Sequence, residues 1–227
     1  MTAAGASWLE RFAGLPAGGD KVRPLAEAVR SAVRPGMTLH LAFAHNRPTA
    51  AIADTQRTDA ATTLGALVGG PQARCLGSLG AAQVDAAGRF NSTRLADGTL
   101  LVGSGGANDV ASAADEVVLT LPADRHRLVD EVPYVTGPGE RVTAVVTDLG
   151  VLERERGAAR WRLSRLVGPL LGGSPASHVR ELQARCGFGF EVAADPIVEP
   201  PVQAEEVERL RLHDPERAFL GPLEGDA

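Results

Sequence analysis

Apolar positions come in short runs broken by glycine and proline, and the spacing inside each run predicts the elements. Lys21–Val33 puts Leu25, Ala28, Val29 and Ala32 on one face at helical spacing, and Pro35-Gly36 stops that helix. Met37–Ala44 alternates as a buried strand, and a second helix begins at Thr49–Ala53, with Pro48 near its first turn. Ala61–Val68 is apolar and reads as a further strand or buried segment, ended by Gly69-Gly-Pro71. Leu76–Gln83 reads as a strand and Asp85–Gly88 as the turn after it. Phe90–Thr93 is extended, Asp97-Gly98 is a tight turn, and Leu100–Val102 is a strand feeding a glycine-rich turn. Ala-rich Val110–Asp115 opens a helix.

The second half is richer in strand pattern. Glu116–Leu121, Tyr134–Thr136 and Arg141–Thr147 are β-rich runs. Leu152–Leu166 reads as a hairpin with its turn around Glu153–Gly157 and its return strand at Trp161–Leu163. Ser174 caps a helix that runs to about Arg185, with Pro175 at an early position and Cys186-Gly187 at its end. Phe188–Val192 is a last short strand, Glu199-Pro-Pro201 a linker, and Ala204–Leu212 a helix with Val207 and Leu210 on its apolar side. Helices alternate with strands early and strands cluster later, which predicts an α/β fold with an open mixed sheet and flanking helices. Residues 1–20 read as a loosely structured segment, 21–201 as the α/β domain, and 202–227 as a helix and tail.

Composition narrows the function. At 227 residues, 44% hydrophobic and 22% charged, the chain can bury one sizeable core. A formal net charge of −5 without a strong basic block argues against nucleic acid as the main partner. Cys75 and Cys186 are the only cysteines and suggest buried free thiols rather than a disulfide framework. No apolar run approaches the roughly 20 residues of a membrane span, and the N-terminus lacks a secretory pattern, so a cytoplasmic protein is expected. No HxxxH or HExxH spacing occurs, and no metal is expected. The acidic cluster Glu205, Glu206 and Glu208 suits the first turns of its helix and reads as structural.

The stretch Leu76–Asp109 carries the candidate chemistry. A strand running into Gly103-Ser-Gly-Gly-Ala-Asn-Asp109 and then a helix exposes backbone N–H groups at a helix end, which suits a phosphate, a carboxylate or a developing oxyanion. Gly105 and Gly106 are the candidate donors, with Gly103, Ala107, Asn108 and Asp109 around them. Asp109 has capping as its plain role. Asp85, between a strand and a turn, is a candidate carboxylate. Arg47, at a strand end in His45-Asn-Arg-Pro48, can hold a carboxylate or phosphate bidentately or lie exposed on a loop. Arg125, Arg127 and Arg141 are candidates for phosphate contacts or solvated faces. His40 and His45 flank one strand end, and His126 faces either a site or solvent.

In order and spacing, Leu79-Gly-Ala-Ala-Gln-Val-Asp85, Gly88-Arg-Phe-Asn-Ser-Thr93, Gly103-Ser-Gly-Gly-Ala-Asn-Asp109, Val117-Val-Leu-Thr120, Tyr134-Val-Thr-Gly-Pro-Gly139 and Val145-Val-Thr-Asp-Leu-Gly-Val-Leu-Glu153 resemble the β-type half of the family I coenzyme A transferases. The likeness runs from about Leu76 to Pro201. It implies the open α/β layer structure of that family, with coenzyme A as substrate and acyl carrier. It also implies an active site between two halves, hence an α-type partner subunit or a homodimer. The family's chemistry runs through a mixed anhydride and an enzyme–CoA thioester on one glutamate, with fixed N–H donors meeting the oxyanion. Where the family pattern places that glutamate this chain is shorter and has no glutamate between Glu27 and Glu116, so the nucleophile has no counterpart there. Three functions follow as expectations. One is a CoA-transferase-like subunit whose glutamate comes from elsewhere. Another is a non-catalytic partner or scaffold subunit. The third is an acyl-CoA hydrolase or ring-opening enzyme using water.

Overall fold

The structure, a computed structural model, describes residues 38–41, 63–70, 75–168 and 170–200. In chain order these form β1 (Thr38–Leu41), a π-helical turn (Thr63–Val68), β2 (Cys75–Gly80), β3 (Gln83–Val84) and β4 (Phe90–Asn91). There follow α1 (Ala107–Ala113), β5 (Glu116–Thr120), β6 (Val142–Val146), β7 (Gly150–Glu153), β8 (Arg162–Leu166), α2 (Pro175–Arg185) and β9 (Glu191–Val198). The helices read at Lys21–Val33, Thr49–Ala53 and Ala204–Leu212 lie outside the described residues.

Seven strands make one sheet in the order β1-β2-β5-β6-β7-β8-β9. β1, β2, β5 and β6 are parallel neighbours, β7 is antiparallel to both β6 and β8, and β9 is parallel to β8. This is the open mixed sheet the sequence predicts. The central strands are mostly apolar because both of their faces are covered. All of β6 is buried, as are Val117, Val118 and Leu119 of β5. α1 packs onto β2 at Gly77, where a Cβ would stand 2.5 Å from Val110 Cγ1, so only glycine lets the helix sit this close.

Ser174 caps α2 as its sequence requires: its hydroxyl accepts the Ser177 N–H at 3.2 Å. His178, fully buried on α2, accepts the Leu171 N–H at Nδ1 (3.1 Å) and bonds the Leu149 carbonyl through Nε2 (2.6 Å). That ring ties α2 to the β6–β7 turn.

Four expectations are corrected. Ala61–Val68 is helical at Thr63–Val68 rather than extended, and the Gly69 N–H closes a wide turn onto the Leu64 carbonyl at 3.1 Å. A short apolar run does not distinguish a buried strand from a buried helical turn. Leu100–Val102 is not a sheet strand but the exposed return of a small hairpin. Tyr134–Thr136 is irregular, held by the Thr136 N–H on the Phe90 carbonyl at 2.8 Å. The last strand begins at Glu191, because Phe188 turns into the core beside Trp161, with ring centroids 6.4 Å apart.

Candidate functional site at the carboxyl edge of the sheet

Open α/β sheets place ligands outside the carboxyl ends of their parallel strands. Here β2 ends at Gly80 and leads into the long excursion 81–106, β5 ends at Thr120, and β6 ends at Val146. α1 returns the chain to the amino edge, where the Asp115 carboxylate accepts the Cys75 N–H and the Asp115 N–H bonds the Cys75 carbonyl, both at 2.9 Å. The start of α1, and with it the turn Gly103–Gly106, therefore lies toward the carboxyl edge.

Gly105 has φ +52°, a conformation that disfavours any side chain, and open space where a Cβ would be. Gly106 precedes the helix with an ordinary φ of −91° and no side-chain cap. The Ala107 N–H bonds the Ser104 carbonyl at 2.9 Å, and the Val110 N–H bonds that of Gly106 at 3.0 Å. The N–H groups of Gly105 and Gly106 have no acceptor among the described residues. Gly103, Gly105, Asn108 and Asp109 are exposed and Ala107 is half-buried. Asp109 stands in the first turn of α1, so its carboxylate already complements the positive helix end.

A scaffold of buried charge backs this edge. Asp85 is fully buried: one carboxylate oxygen accepts the Arg89 N–H (3.0 Å), while the other accepts Arg89 Nε (2.8 Å) and the Val132 N–H (3.4 Å). The Asp85 hydrogen bond and charge raise the Arg89 pKa, and the other arm of that guanidinium reaches Glu131 at 3.2 Å. Arg154, also buried, donates to the carbonyls of Ala87, Gly139, Val142 and Ala158 and lies 4.3 Å over the Trp161 ring. Burial pulls its pKa down to about 10, which leaves it charged at neutral pH. It clamps the turn Asp85–Gly88 against Gly139.

Asn91 organises the next turn. Its Oδ1 accepts the N–H groups of Thr93 (2.9 Å) and Arg94 (3.1 Å), and its Nδ2 donates to Gln83 Oε1 (2.8 Å) and the Arg94 carbonyl (2.7 Å). Thr136 Oγ1 accepts the Ser92 N–H and pairs with Thr93 Oγ1, both at 2.9 Å. Arg154 and Thr136 act through contacts distant in the chain that no local pattern marks, whereas Asn91 acts on neighbours at residues 83, 93 and 94.

The other candidates scatter. Arg141 donates to the Ala114 carbonyl (2.7 Å) at the amino edge, away from the glycine turn. Arg125 bonds the Ala184 carbonyl at 3.3 Å near the end of α2. The His126 N–H bonds Asp124 Oδ1 at 2.7 Å and its carbonyl accepts Gln83 Nε2 at 3.0 Å. Arg47 and His45 lie outside the described residues. Among the described residues no helix is long and apolar enough to cross a membrane, and no group of three or more His, Cys, Asp or Glu is placed to hold a metal ion.

No protein-family model matches the chain. It is 32% identical over 110 residues to the B subunit of 3-oxoadipate CoA-transferase from Pseudomonas knackmussii, covering 40% of this chain and 42% of that one. It is 28% identical over 168 residues to the B subunit of glutaconate CoA-transferase from Acidaminococcus fermentans, covering 65% and 60%. The chain thus spans roughly two to three fifths of these relatives. The crystal structure of glutaconate coenzyme A-transferase from Acidaminococcus fermentans shares the fold, with a TM-score of 0.53 at 24% identity over 66% of this chain and 62% of that one. The decarboxylase AibA/AibB superposes with a TM-score of 0.52 at 32% identity, over 66% and 62%. With its mixed sheet and its likeness to two B subunits, the chain is similar to the β-type subunits of the family I coenzyme A transferases.

Proposed function

We propose that this chain is the β-type half of an enzyme that works on an acyl-CoA thioester, and that its glycine turn receives the thioester carbonyl. The observation that carries this reading is the pair of N–H groups at Gly105 and Gly106, both without an internal acceptor among the described residues. As the thioester carbon becomes tetrahedral, negative charge grows on its oxygen, and two fixed donors stabilise that charge without reorganising. Gly103, Ala107 and Asn108 line the approach for coenzyme A, and Arg47 is a further candidate contact.

The nucleophile belongs to an α-type partner subunit in this reading. Asp85 cannot reach a substrate without giving up the three N–H donors it holds. The names of the two relatives, each the B subunit of its enzyme, support a partnered assembly. A second reading draws on the 32% likeness to a decarboxylase: the same turn would hold an acyl-CoA carbonyl for hydrolysis, ring opening or another reaction in place of transfer. The test is acyl-CoA turnover by the purified chain, alone and mixed with an α-type subunit, with and without acetate as acceptor. Transfer only in the mixture supports the first reading. Acid-independent loss of thioester supports the second. No turnover under either condition, with acyl-CoA still bound, makes the chain a scaffold.

A further inference from the structure

Among the described residues β9 is an outer strand of the sheet, paired with β8 on one side. The register fixes which of its side chains share a face. Gly150 of β7 lies opposite Leu166 of β8, and Leu152 lies opposite Leu163, so Leu163 and Leu166 point to one side of the sheet. That is the side α2 covers: a Cβ on Gly150 would stand 2.7 Å from Leu163 Cδ1 and 3.2 Å from Leu182 Cδ2. On β9 the partners of Leu163 and Leu166 are Val192 and Val198, which extend the same apolar row outward. Leu163 and Leu166 are fully buried, whereas Val192 is 39% exposed and Val198 43%. The row is covered at β8 and open at β9.

Between these pairs the edge is irregular. β8 advances two residues from Leu163 to Arg165 while β9 advances five from Val192 to Ile197, so Ala193–Pro196 bulge from the ladder, and Pro196 has no N–H to offer. A bulge and a proline spoil the row of donors and acceptors that an added strand needs. What the edge still offers is side-chain surface, which suits a helix that satisfies its own backbone. We propose that the chain's own segment Ala204–Leu212 folds back as that helix and lies beside α2, over Val192 and Val198. The chain departs from β9 at this place: the Glu199 N–H bonds the Leu166 carbonyl at 2.8 Å, and the Glu199 carboxylate pairs with Arg165 Nη1 at 2.7 Å. Only residues 199–203, with Pro200 and Pro201 among them, connect β9 to the segment, and a connection this short keeps consecutive elements adjacent. At helical spacing Val207 and Leu210 share one face, with Glu205 and Glu208 directed away from it. A helix over 204–212 is about 13 Å long, and Val192 and Val198, opposite Leu163 and Leu166, stand about 10 Å apart at the rise of a strand. Val207 then meets Val198, and Leu210 reaches toward Val192.

The test is the reactivity of a thiol placed at residue 192 of the full chain: Val192→Cys is treated with iodoacetamide in native buffer, with far-ultraviolet circular dichroism to confirm folding. Cys75 and Cys186 are buried and do not compete. Combining Val207→Asp with Leu210→Asp is expected to speed labelling about tenfold, as the release of a local cover does. Glu205→Ala combined with Glu208→Ala is expected to leave the rate unchanged. Amide hydrogen exchange gives a second measurement with β9 unaltered: residues 204–212 should be protected in the wild type and should lose that protection in the Val207→Asp, Leu210→Asp chain, while β5 and β6 keep theirs. A residue-192 thiol as reactive as a free thiol, or residues 204–212 unprotected in the wild type, overturns the proposal. Protection of residue 192 that grows with protein concentration overturns it in favour of a second copy. Protection that appears only on adding an α-type subunit overturns it and assigns this edge to that subunit.

Discussion

The Leu64 side chain lies directly beneath Gly106: a Cβ added to that glycine would stand 3.1 and 3.2 Å from its two methyl groups. The turn that carries the candidate donors is therefore seated on the helical turn Thr63–Val68. Gly106→Ala asks Leu64 to give by a few tenths of an ångström, whereas Gly105→Ala meets no neighbour but must hold φ +52°. Gly105→Ala is expected to cost about 1 kcal/mol of stability from the left-handed conformation alone. Gly106→Ala should cost less, and should become near neutral in a Leu64→Ala background. Urea midpoints for the four variants decide this; a Gly106→Ala cost that Leu64→Ala does not relieve would show that the contact is not the cause.

Arg154 is the side chain whose loss reaches furthest. Four backbone carbonyls from three stretches of the chain converge on one guanidinium, and no lysine ammonium can span them. Arg154→Lys is expected to lower stability by about 3 kcal/mol, since buried acceptors lose their donors. Denaturant unfolding followed by Trp161 fluorescence measures it. A loss below about 1 kcal/mol would mean that solvent reaches these carbonyls.

Cys186 gives a prediction in pH. Burial pushes its thiol up to about 11, although the Phe188 backbone and Arg125 pull the other way. The folded protein thus favours the neutral thiol. This contribution is complete below the ordinary thiol value of 9.0 and is lost as pH rises through about 11. Stability should fall across that window, and Cys186→Ala should flatten the fall. At pH 8 the native chain should resist thiol-specific reagents that label both Cys75 and Cys186 in urea. Prompt labelling of the folded chain would contradict a buried, protonated Cys186.

The sequence pattern was enough for the elements whose signal is local. Ser174-Pro175 defined the start of α2, the β-rich run Arg141–Thr147 a strand, and Asp97-Gly98 a turn. It misread places where tertiary contacts decide. Leu100–Val102 has strand composition, but no sheet edge lies beside it, and Phe188 leaves its strand pattern to reach Trp161. At the candidate site, the turn itself was legible because glycine is tied to backbone geometry. The clamp was not, because nothing near Arg154 in sequence marks the Ala87 and Gly139 carbonyls as its targets.

Asp85 separates a nucleophile from a brace. As a brace, its charge answers Arg89 and its two oxygens hold three N–H donors, so Asp85→Asn turns an amide donor toward groups that are themselves donors. The expected cost is about 2–3 kcal/mol of stability. The turn Asp85–Gly88 would loosen against Arg154, with little change in turnover per folded molecule of the assembled enzyme. A nucleophile predicts the reverse: Asp85→Asn would abolish turnover and leave the unfolding midpoint nearly unmoved. Asp85→Glu sharpens the contrast, because the longer carboxylate has no room among the same donors and should destabilise the fold, whereas a nucleophilic role tolerates a carboxylate of either length better than an amide. Measuring the urea midpoint and acyl-CoA turnover on the same preparations of both variants distinguishes the two roles. Loss of turnover at an unchanged midpoint would return Asp85 to the chemistry and remove the need for a nucleophile on a partner chain.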